Sequence, residues 1–163
     1  MHKHRAPILC MSLGCEDGFV VTGSRDRDAC VWNTNNAPTT ACAFNLSGHD
    51  AAVTCVHATR QGPGGDLAGS GEGGLIVTGS DDKTVRVWSA STGTCLKIVC
   101  EHQGPLSSVI LQGGRIVTAC FDGKVRVIDV LTVLLPPCPG WDRRVCGVMQ
   151  LGLHDVDCCC FAD

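Results

Sequence analysis

The sequence predicts an all-β fold built from repeated hairpins, and three observations support this prediction. The segment VTGSDDKTVRVW (77–88) recurs as VTGSRDRDACVW (21–32) and as VTACFDGKVRVI (117–128). Each copy places β-branched and apolar residues on both sides of a short polar turn, the pattern of a two-stranded hairpin. The 163 residues include 20 glycines but only 4% aromatic residues, and long runs of helix-forming residues are absent. Repeats of this kind predict that similar structural units stack along the chain.

The spacing of four residue types defines the repeat. A Thr stands at 22, 78 and 118, an Asp follows four residues later, and Trp32, Trp88 or Ile128 follows ten residues after the Thr. A His stands upstream of each Thr by 18, 29 and 16 residues. Constant spacing indicates a hairpin whose turn fixes its register, whereas variable spacing indicates a surface loop. We therefore interpret residues 60–74 as an inserted Gly-rich loop.

Charge and cysteine placement limit the class of protein. The net charge is −3 with both signs mixed along the chain, so no basic stripe for nucleic acid is present. No run approaches the ~18 apolar residues of a membrane span. The 13 cysteines contain no C-x-x-C pair, which favours buried thiols over a metal site. We expect no cofactor or metal, no nucleic-acid partner and a cytoplasmic location, with the nucleus as the alternative.

These motifs resemble the WD-repeat β-propeller family. The matching residues are Gly48-His49, the segment IVTGSDDKTVRVW (76–88) and its closing Trp88. The resemblance implies an incomplete β-propeller over residues 4–151, with three four-stranded antiparallel blades and the first strand of a fourth. The blades would cover about 4–47, 48–100 and 101–139, with a partial blade at 140–151. The Cys-rich tail, 152–163, is expected to be disordered. Short links before the second strands are similar to those of F-box-containing WD-repeat proteins.

The resemblance also implies a structural hydrogen-bonded set in each blade. The three sets are His4, Thr22, Asp26 and Trp32; His49, Thr78, Asp82 and Trp88; and His102, Thr118 and Asp122. A His, an Asp and a Thr together are also typical of nucleophilic catalysis. An active site is normally singular, however, and this constellation occurs three times. We therefore predict no catalytic residues and no enzyme activity.

The most favoured function is a non-catalytic protein–protein interaction scaffold that binds other proteins or peptides. The resemblance places the partner-binding rim at Arg5, Arg25, Asp50, Ala52, Thr54, Asp81 and Phe121. Three alternatives stay open: a substrate receptor of a ubiquitin ligase that uses Arg25 to bind phosphate, a truncated or mis-spliced gene product, and a thiol-dependent enzyme. Three blades cannot close a ring, so we also expect self-association through open blade faces.

Overall fold

The computed structural model describes residues 3–14, 18–34, 42–59, 74–134 and 148–151. In these ranges twelve strands form three four-stranded antiparallel sheets, which confirms the predicted all-β fold. Blade 1 contains β1 (Ile8–Gly14), β2 (Phe19–Ser24), β3 (Ala29–Asn33) and β4 (Cys42–Leu46). Blade 2 contains β5 (Val53–Thr59), β6 (Leu75–Ser80), β7 (Val85–Ser89) and β8 (Cys95–Val99). Blade 3 contains β9 (Leu106–Gln112), β10 (Arg115–Cys120), β11 (Val125–Asp129) and β12 (Val148–Leu151).

The last strand corrects one prediction. We expected the strand near 144–151 to begin a fourth blade, but β12 pairs with β11 and is the outermost strand of blade 3. Val148 lies opposite Ile128, and Leu151 lies opposite Val125. The physical reason is an open edge: β11 is followed by the short helix α1 (Val130–Leu134), so no described strand before β12 can satisfy its outer hydrogen-bonding groups.

Several sequence interpretations lie outside the described residues. These are nearly all of the inserted Gly-rich loop, the start of the presumed fourth unit before residue 148, and the Cys-rich tail. The helix α1 has only five residues. Across the described ranges, no helix has the length and apolar character that crossing a membrane requires.

The turn between the two middle strands is built the same way in all three blades. In blade 1 the Ser24 N–H donates to the Asp28 carbonyl at 3.1 Å, and the Arg27 N–H donates back to the Ser24 carbonyl at 3.2 Å. Arg27 has a φ of 76°, and Lys83 and Gly123 take the same left-handed conformation with φ of 69° and 80°. A short loop that ends in a left-handed residue fixes the register of a hairpin. The constant spacing in the sequence follows from this turn.

The connections at the other end of the blades differ in length while the strand pairing stays the same. The facing pairs are Gly14 with Phe19, Thr59 with Leu75, and Gln112 with Arg115. Four, fifteen and two residues separate the members of these pairs. The pairing of the first two strands therefore does not depend on the length of the connection.

Two buried clusters hold the blades together. One joins blade 1 to blade 2 and includes Val21, Val31 and Val56; the other joins blade 2 to blade 3 and includes Val77 and Val109. The inner strands β1, β5 and β9 lie side by side. The sheets therefore stack face to face. The turns between their middle strands all lie on the same side of the stack, one in each blade.

Gly79 lies where blades 2 and 3 approach each other closely. A Cβ atom at this position would lie 2.6 Å from Cys55 Sγ and 3.0 Å from Leu106 Cβ. A larger residue would therefore require Cys55 and Leu106 to shift, and buried atoms in a packed core have little room to do so.

Candidate functional site: the blade hydrogen-bond sets and the rim

Blade 2 contains a continuous chain of four hydrogen-bonded side chains. Trp88 Nε1 donates to Thr78 Oγ1 over 2.9 Å, and Thr78 Oγ1 lies 2.8 Å from His49 Nε2. His49 Nδ1 lies 2.7 Å from Asp82 Oδ2. This series of hydrogen bonds runs from β7 through β6 to the loop before β5 and ends in the β6–β7 turn. It therefore ties this loop and this turn to the middle of the sheet.

The chemistry of these groups gives each hydrogen bond in blade 2 a direction. The indole N–H can only donate, so the Thr78 oxygen accepts it and the Thr78 hydroxyl proton is free to donate to His49 Nε2. His49 then carries its proton on Nδ1 and donates it to the Asp82 carboxylate. This tautomer is assigned from the hydrogen-bond network. Every donor in the chain therefore points toward one anion in the turn.

The charge states agree with this direction. Burial lowers the pKa of His49, although Asp82 opposes the effect, and the ring is neutral at physiological pH. Burial alone would raise the pKa of Asp82, but hydrogen bonds from Thr84, His49 and the Asp50 backbone outweigh it, and this pKa lies below its ordinary value. With both nitrogens bonded inside the blade, the His49 ring has no nitrogen available to a substrate. The set acts as a structural brace.

Blade 1 repeats this arrangement. Trp32 Nε1 donates to Thr22 Oγ1 at 2.8 Å, and Thr22 Oγ1 lies 2.8 Å from His4 Nε2. His4 Nδ1 lies 2.9 Å from Asp26 Oδ2. The structure therefore brings together all four predicted residues of this set, in the same order as in blade 2.

Blade 3 departs from the predicted set. His102 Nε2 lies 2.8 Å from Thr118 Oγ1, but His102 Nδ1 is buried without a hydrogen-bond partner and does not reach Asp122. Asp122 instead accepts two hydrogen bonds from the buried Arg126 guanidinium, at 2.7 and 3.3 Å. The predicted contact between His102 and Asp122 is therefore wrong.

The residue at position 128 gives a physical reason for the change. Ile128 replaces the Trp donor, so the Thr118 oxygen is free to accept a proton from His102 Nε2. His102 Nδ1 would then present a lone pair toward the negative carboxylate, which repels it. A guanidinium binds a carboxylate through two parallel hydrogen bonds, and Arg126 takes this place. Burial, together with the Arg126 charge, lowers the pKa of His102 to about 4.

The sequence analysis missed a second set of bracing residues. Ser24, Ser80 and Cys120 each lie two residues after the repeated Thr. Each side chain donates to a backbone carbonyl of the loop before the inner strand, at 3.0, 3.1 and 3.1 Å. Each also accepts the N–H of the turn Asp two residues later. Their repetition in register with the Thr was the signal that could have identified them.

Three equivalent positions of the rim lie next to the N-terminal ends of the inner strands. The backbone N–H groups of Arg25, Asp81 and Phe121 each donate to the carbonyl of the residue that directly precedes the inner strand of the same blade, at 2.9, 3.0 and 2.9 Å. All three residues are exposed, and Phe121 retains 75% of its accessible surface. The rim therefore presents a cation, an anion and an aromatic ring from equally braced backbone positions.

The other predicted rim residues divide into two groups. Arg5 and Asp50 are exposed, and their backbone N–H groups donate to the carboxylates of Asp26 and Asp82 at 2.8 and 3.0 Å. Ala52 and Thr54 are half-buried. The Thr54 hydroxyl donates to the Leu106 carbonyl at 2.6 Å and so joins blade 2 to blade 3.

A polar cleft of about 800 Å³ adjoins Arg5, between blade 1 and the loop that enters blade 2. Its walls carry the cations Lys3, Arg5 and Arg27 and the acids Asp26, Asp28 and Asp50. Among the described residues, no ion pair involves any of these three cations. The cleft extends the charged part of the rim toward the outer strand of blade 1.

Two of the described thiols, Cys10 and Cys55, are not activated as nucleophiles. Burial raises the pKa of Cys55 to about 11 and that of Cys10 to about 12, so neither is a thiolate at neutral pH. His57, two residues from Cys55, uses its Nδ1 to accept the Leu111 backbone N–H at 3.3 Å. Within the described ranges, no group of three His, Cys, Asp or Glu side chains could hold a metal ion.

Comparison with known proteins agrees with this architecture. The family described as "WD domain, G-beta repeat" matches residues 1–33, 40–89 and 93–129. An uncharacterised WD repeat-containing protein of Schizosaccharomyces pombe is 28% identical, over 79% of this chain and 45% of the relative. Mitochondrial division protein 1 of Vanderwaltozyma polyspora is 31% identical, over 69% of this chain and 15% of the relative. Nuclear distribution protein nudF of Aspergillus niger is 27% identical, over 98% of this chain and 32% of the relative.

The chain spans less than half the length of each of these relatives. Each family match covers the first three strands of one blade and contains the repeated Thr and the turn Asp, whereas β4 and β8 fall at the start of the following match. The chain belongs to the WD-repeat family.

Proposed function

We propose that this protein is a non-catalytic scaffold that binds a protein or peptide partner across the rim formed by Arg5, Arg25, Asp50, Asp81 and Phe121. WD-repeat proteins generally act as interaction scaffolds, which supports the coarse part of this proposal. Its finer part, the use of this rim, rests chiefly on Phe121. The Phe121 ring is exposed to water on a hydrogen-bonded turn, so it adds little buried apolar surface to its own blade.

The chemistry of the rim fits a peptide-like partner. Aromatic residues and Arg are enriched at the centres of protein interfaces, where they supply most of the binding energy. Phe121 offers apolar area, Arg25 offers a planar cation, and Asp81 offers an anion. Because their backbones are fixed by equivalent hydrogen bonds, binding would order only side chains, which keeps the entropic cost of association low.

Selection from a random-peptide display library tests this proposal. Peptides selected on the wild-type protein would be measured against Phe121→Ser and Arg25→Ser, with Ile98→Ser as the matched control. Ile98 is an exposed apolar residue on the outer strand β8, which β6 and β7 separate from the inner strand β5. We expect the rim variants to weaken binding by roughly tenfold or more, as for interface anchor residues, and the control to bind normally. Equal affinity of all four proteins would contradict the proposal.

The second candidate function is a substrate receptor of a ubiquitin ligase that binds phosphorylated peptides. The supporting observation is the exposed Arg25 side chain, which no described acid pairs and which could bind phosphate through two hydrogen bonds. A peptide array with matched phosphorylated and unphosphorylated members separates this candidate from general peptide binding. A phosphate-dependent signal that Arg25→Ala removes would support it, whereas equal binding of both peptide forms would exclude phosphate recognition.

A further inference from the structure

The two junctions inside the chain show how one blade seats on the next. In blade 2, Val56 and Ala58 of β5 are buried in one cluster with Val21 and Val31 of blade 1. In blade 3, Val109 and Leu111 of β9 are buried in one cluster with Val77 and Val87 of blade 2. Each junction therefore packs two alternate apolar side chains of an inner strand against a pair of facing residues on the middle strands of the preceding blade.

Blade 1 carries the same seating residues, but they are uncovered. Met11 lies opposite Thr22, as Val56 lies opposite Thr78 and Val109 opposite Thr118. Met11 and Leu13 are 64% and 67% exposed. We call these two residues, with the exposed Leu9 on the same strand, the leading face. No described residue covers them.

Blade 3 carries a pair of facing residues on its middle strands that matches the pairs on which blades 2 and 3 pack. Val117 lies opposite Val127, as Val21 lies opposite Val31 and Val77 opposite Val87. The pairs in blades 1 and 2 are fully buried, whereas Val117 and Val127 are only half-buried. Ile110, on the inner strand of the same blade, is 46% exposed. We call Ile110, Val117 and Val127 the trailing face.

We propose that a second copy of this chain seats its leading face on the trailing face of the first. The argument is continuity with the junctions already present, because the receiving and seating positions have the same registers and the same apolar character as their buried counterparts. The contact is heterologous, joining two different surfaces, and two copies related by a twofold rotation would make it twice. The product would hold six blades, a number with which such rings close.

The junction between copies differs from the internal ones at one backbone group. Ser12 Oγ accepts the Ala58 N–H at 3.2 Å in the first internal junction, and His57 Nδ1 accepts the Leu111 N–H at 3.3 Å in the second. Ile110 holds the equivalent position in blade 3 and has no acceptor. The inter-copy junction therefore lacks this hydrogen bond, and we expect it to dissociate on dilution more readily than the blades separate.

Light scattering coupled to size-exclusion chromatography of the full chain, over a concentration series, tests the proposal. The wild-type protein should approach twice the chain mass of 17.1 kDa. The leading-face variant Met11→Glu/Leu13→Glu and the trailing-face variant Ile110→Glu should each be monomeric. The control Leu96→Glu/Ile98→Glu, which changes two exposed apolar residues on β8, should remain dimeric. Circular dichroism would establish that all variants keep their strand content.

Mixing the two variants gives the sharpest result. The leading-face variant keeps an intact trailing face, and the trailing-face variant keeps an intact leading face. Their equimolar mixture should therefore form a dimer through one junction, although neither variant dimerises alone. A wild-type monomer throughout the series, a trailing-face variant that still dimerises, or a mixture that stays monomeric would each overturn the proposal. If the wild type instead forms assemblies larger than a dimer and the leading-face variant abolishes them, the proposal of a closed two-copy ring is contradicted.

Discussion

Replacement of Asp82 by Ala should destabilise the protein strongly, because this carboxylate accepts four hydrogen bonds. The donors are His49 Nδ1 at 2.7 Å, the Asp50 N–H at 3.0 Å, and the Thr84 N–H and hydroxyl at 2.8 and 2.6 Å. The His49 side chain is almost fully buried, so its unpaired N–H alone should cost about 1–3 kcal/mol. The other lost bonds lie nearer to water, and the total should be about 3 kcal/mol.

Thermal unfolding measures this loss against Asp81→Ala. Asp81 is the exposed neighbour, and no described donor bonds its side chain; its removal should change stability by less than about 0.5 kcal/mol. For a chain of this size, a loss of about 3 kcal/mol lowers the melting temperature by roughly 6–12 °C. Equal melting temperatures for the two variants would refute the account of Asp82 as the anchor of the blade 2 set.

Four further outcomes are expected. Long-range ¹H–¹⁵N NMR should find the proton of His49 on Nδ1 and that of His102 on Nε2; the same tautomer in both rings would contradict the role assigned to position 128. Because burial lowers the pKa of His102 to about 4, the unfolded chain binds its proton first, and stability should fall as pH drops from about 6.5 toward 4. In urea unfolding, the free energy of unfolding of His102→Gln should depend less steeply on pH than that of the wild type. An equally steep dependence would show that another group causes the effect. Gly79→Ala should cost about 1–3 kcal/mol through overpacking between blades 2 and 3, and a melting temperature equal to the wild type would show that the junction can relax. Alkylation followed by mass spectrometry should modify the exposed Cys95 and Cys100 before Cys10 and Cys55, whereas prompt labelling of Cys55 would revive the thiol-enzyme alternative.

The fold could be predicted because the repeat fixes local geometry. A Thr, an Asp and a Trp at constant distances specify one hairpin with one turn, and the three copies specify three sheets. The position of β12 could not be predicted in this way. The segment around residues 140–151 is similar in residue type to the start of blade 2, but strand pairing depends on which edge is open. The open edge belonged to β11, and only the folded structure shows it.

The candidate site could likewise be predicted from the sequence only in part. The sets of blades 1 and 2 follow from residue identity, since each has a Trp donor that orders the whole chain of hydrogen bonds. In blade 3 the outcome depends on competition for Asp122 between His102 and Arg126. Position 86 of blade 2 also holds an Arg, yet Asp82 bonds His49 there. An Arg at this position therefore does not by itself decide which side chain the turn Asp bonds. We attribute the difference to the residue two positions later, which is Trp88 in blade 2 and Ile128 in blade 3.

The unequal connections opposite the rim have a consequence for how such a chain can change over time. Thr59 and Leu75 face each other across fifteen intervening residues, in the same pairing that two residues achieve between Gln112 and Arg115. Sequence can therefore be gained or lost at this point without altering strand register, the blade junctions or the rim at the opposite end. It is the natural place for an inserted reporter domain or protease cleavage sequence. Selection can add new segments there while the rim stays as it is.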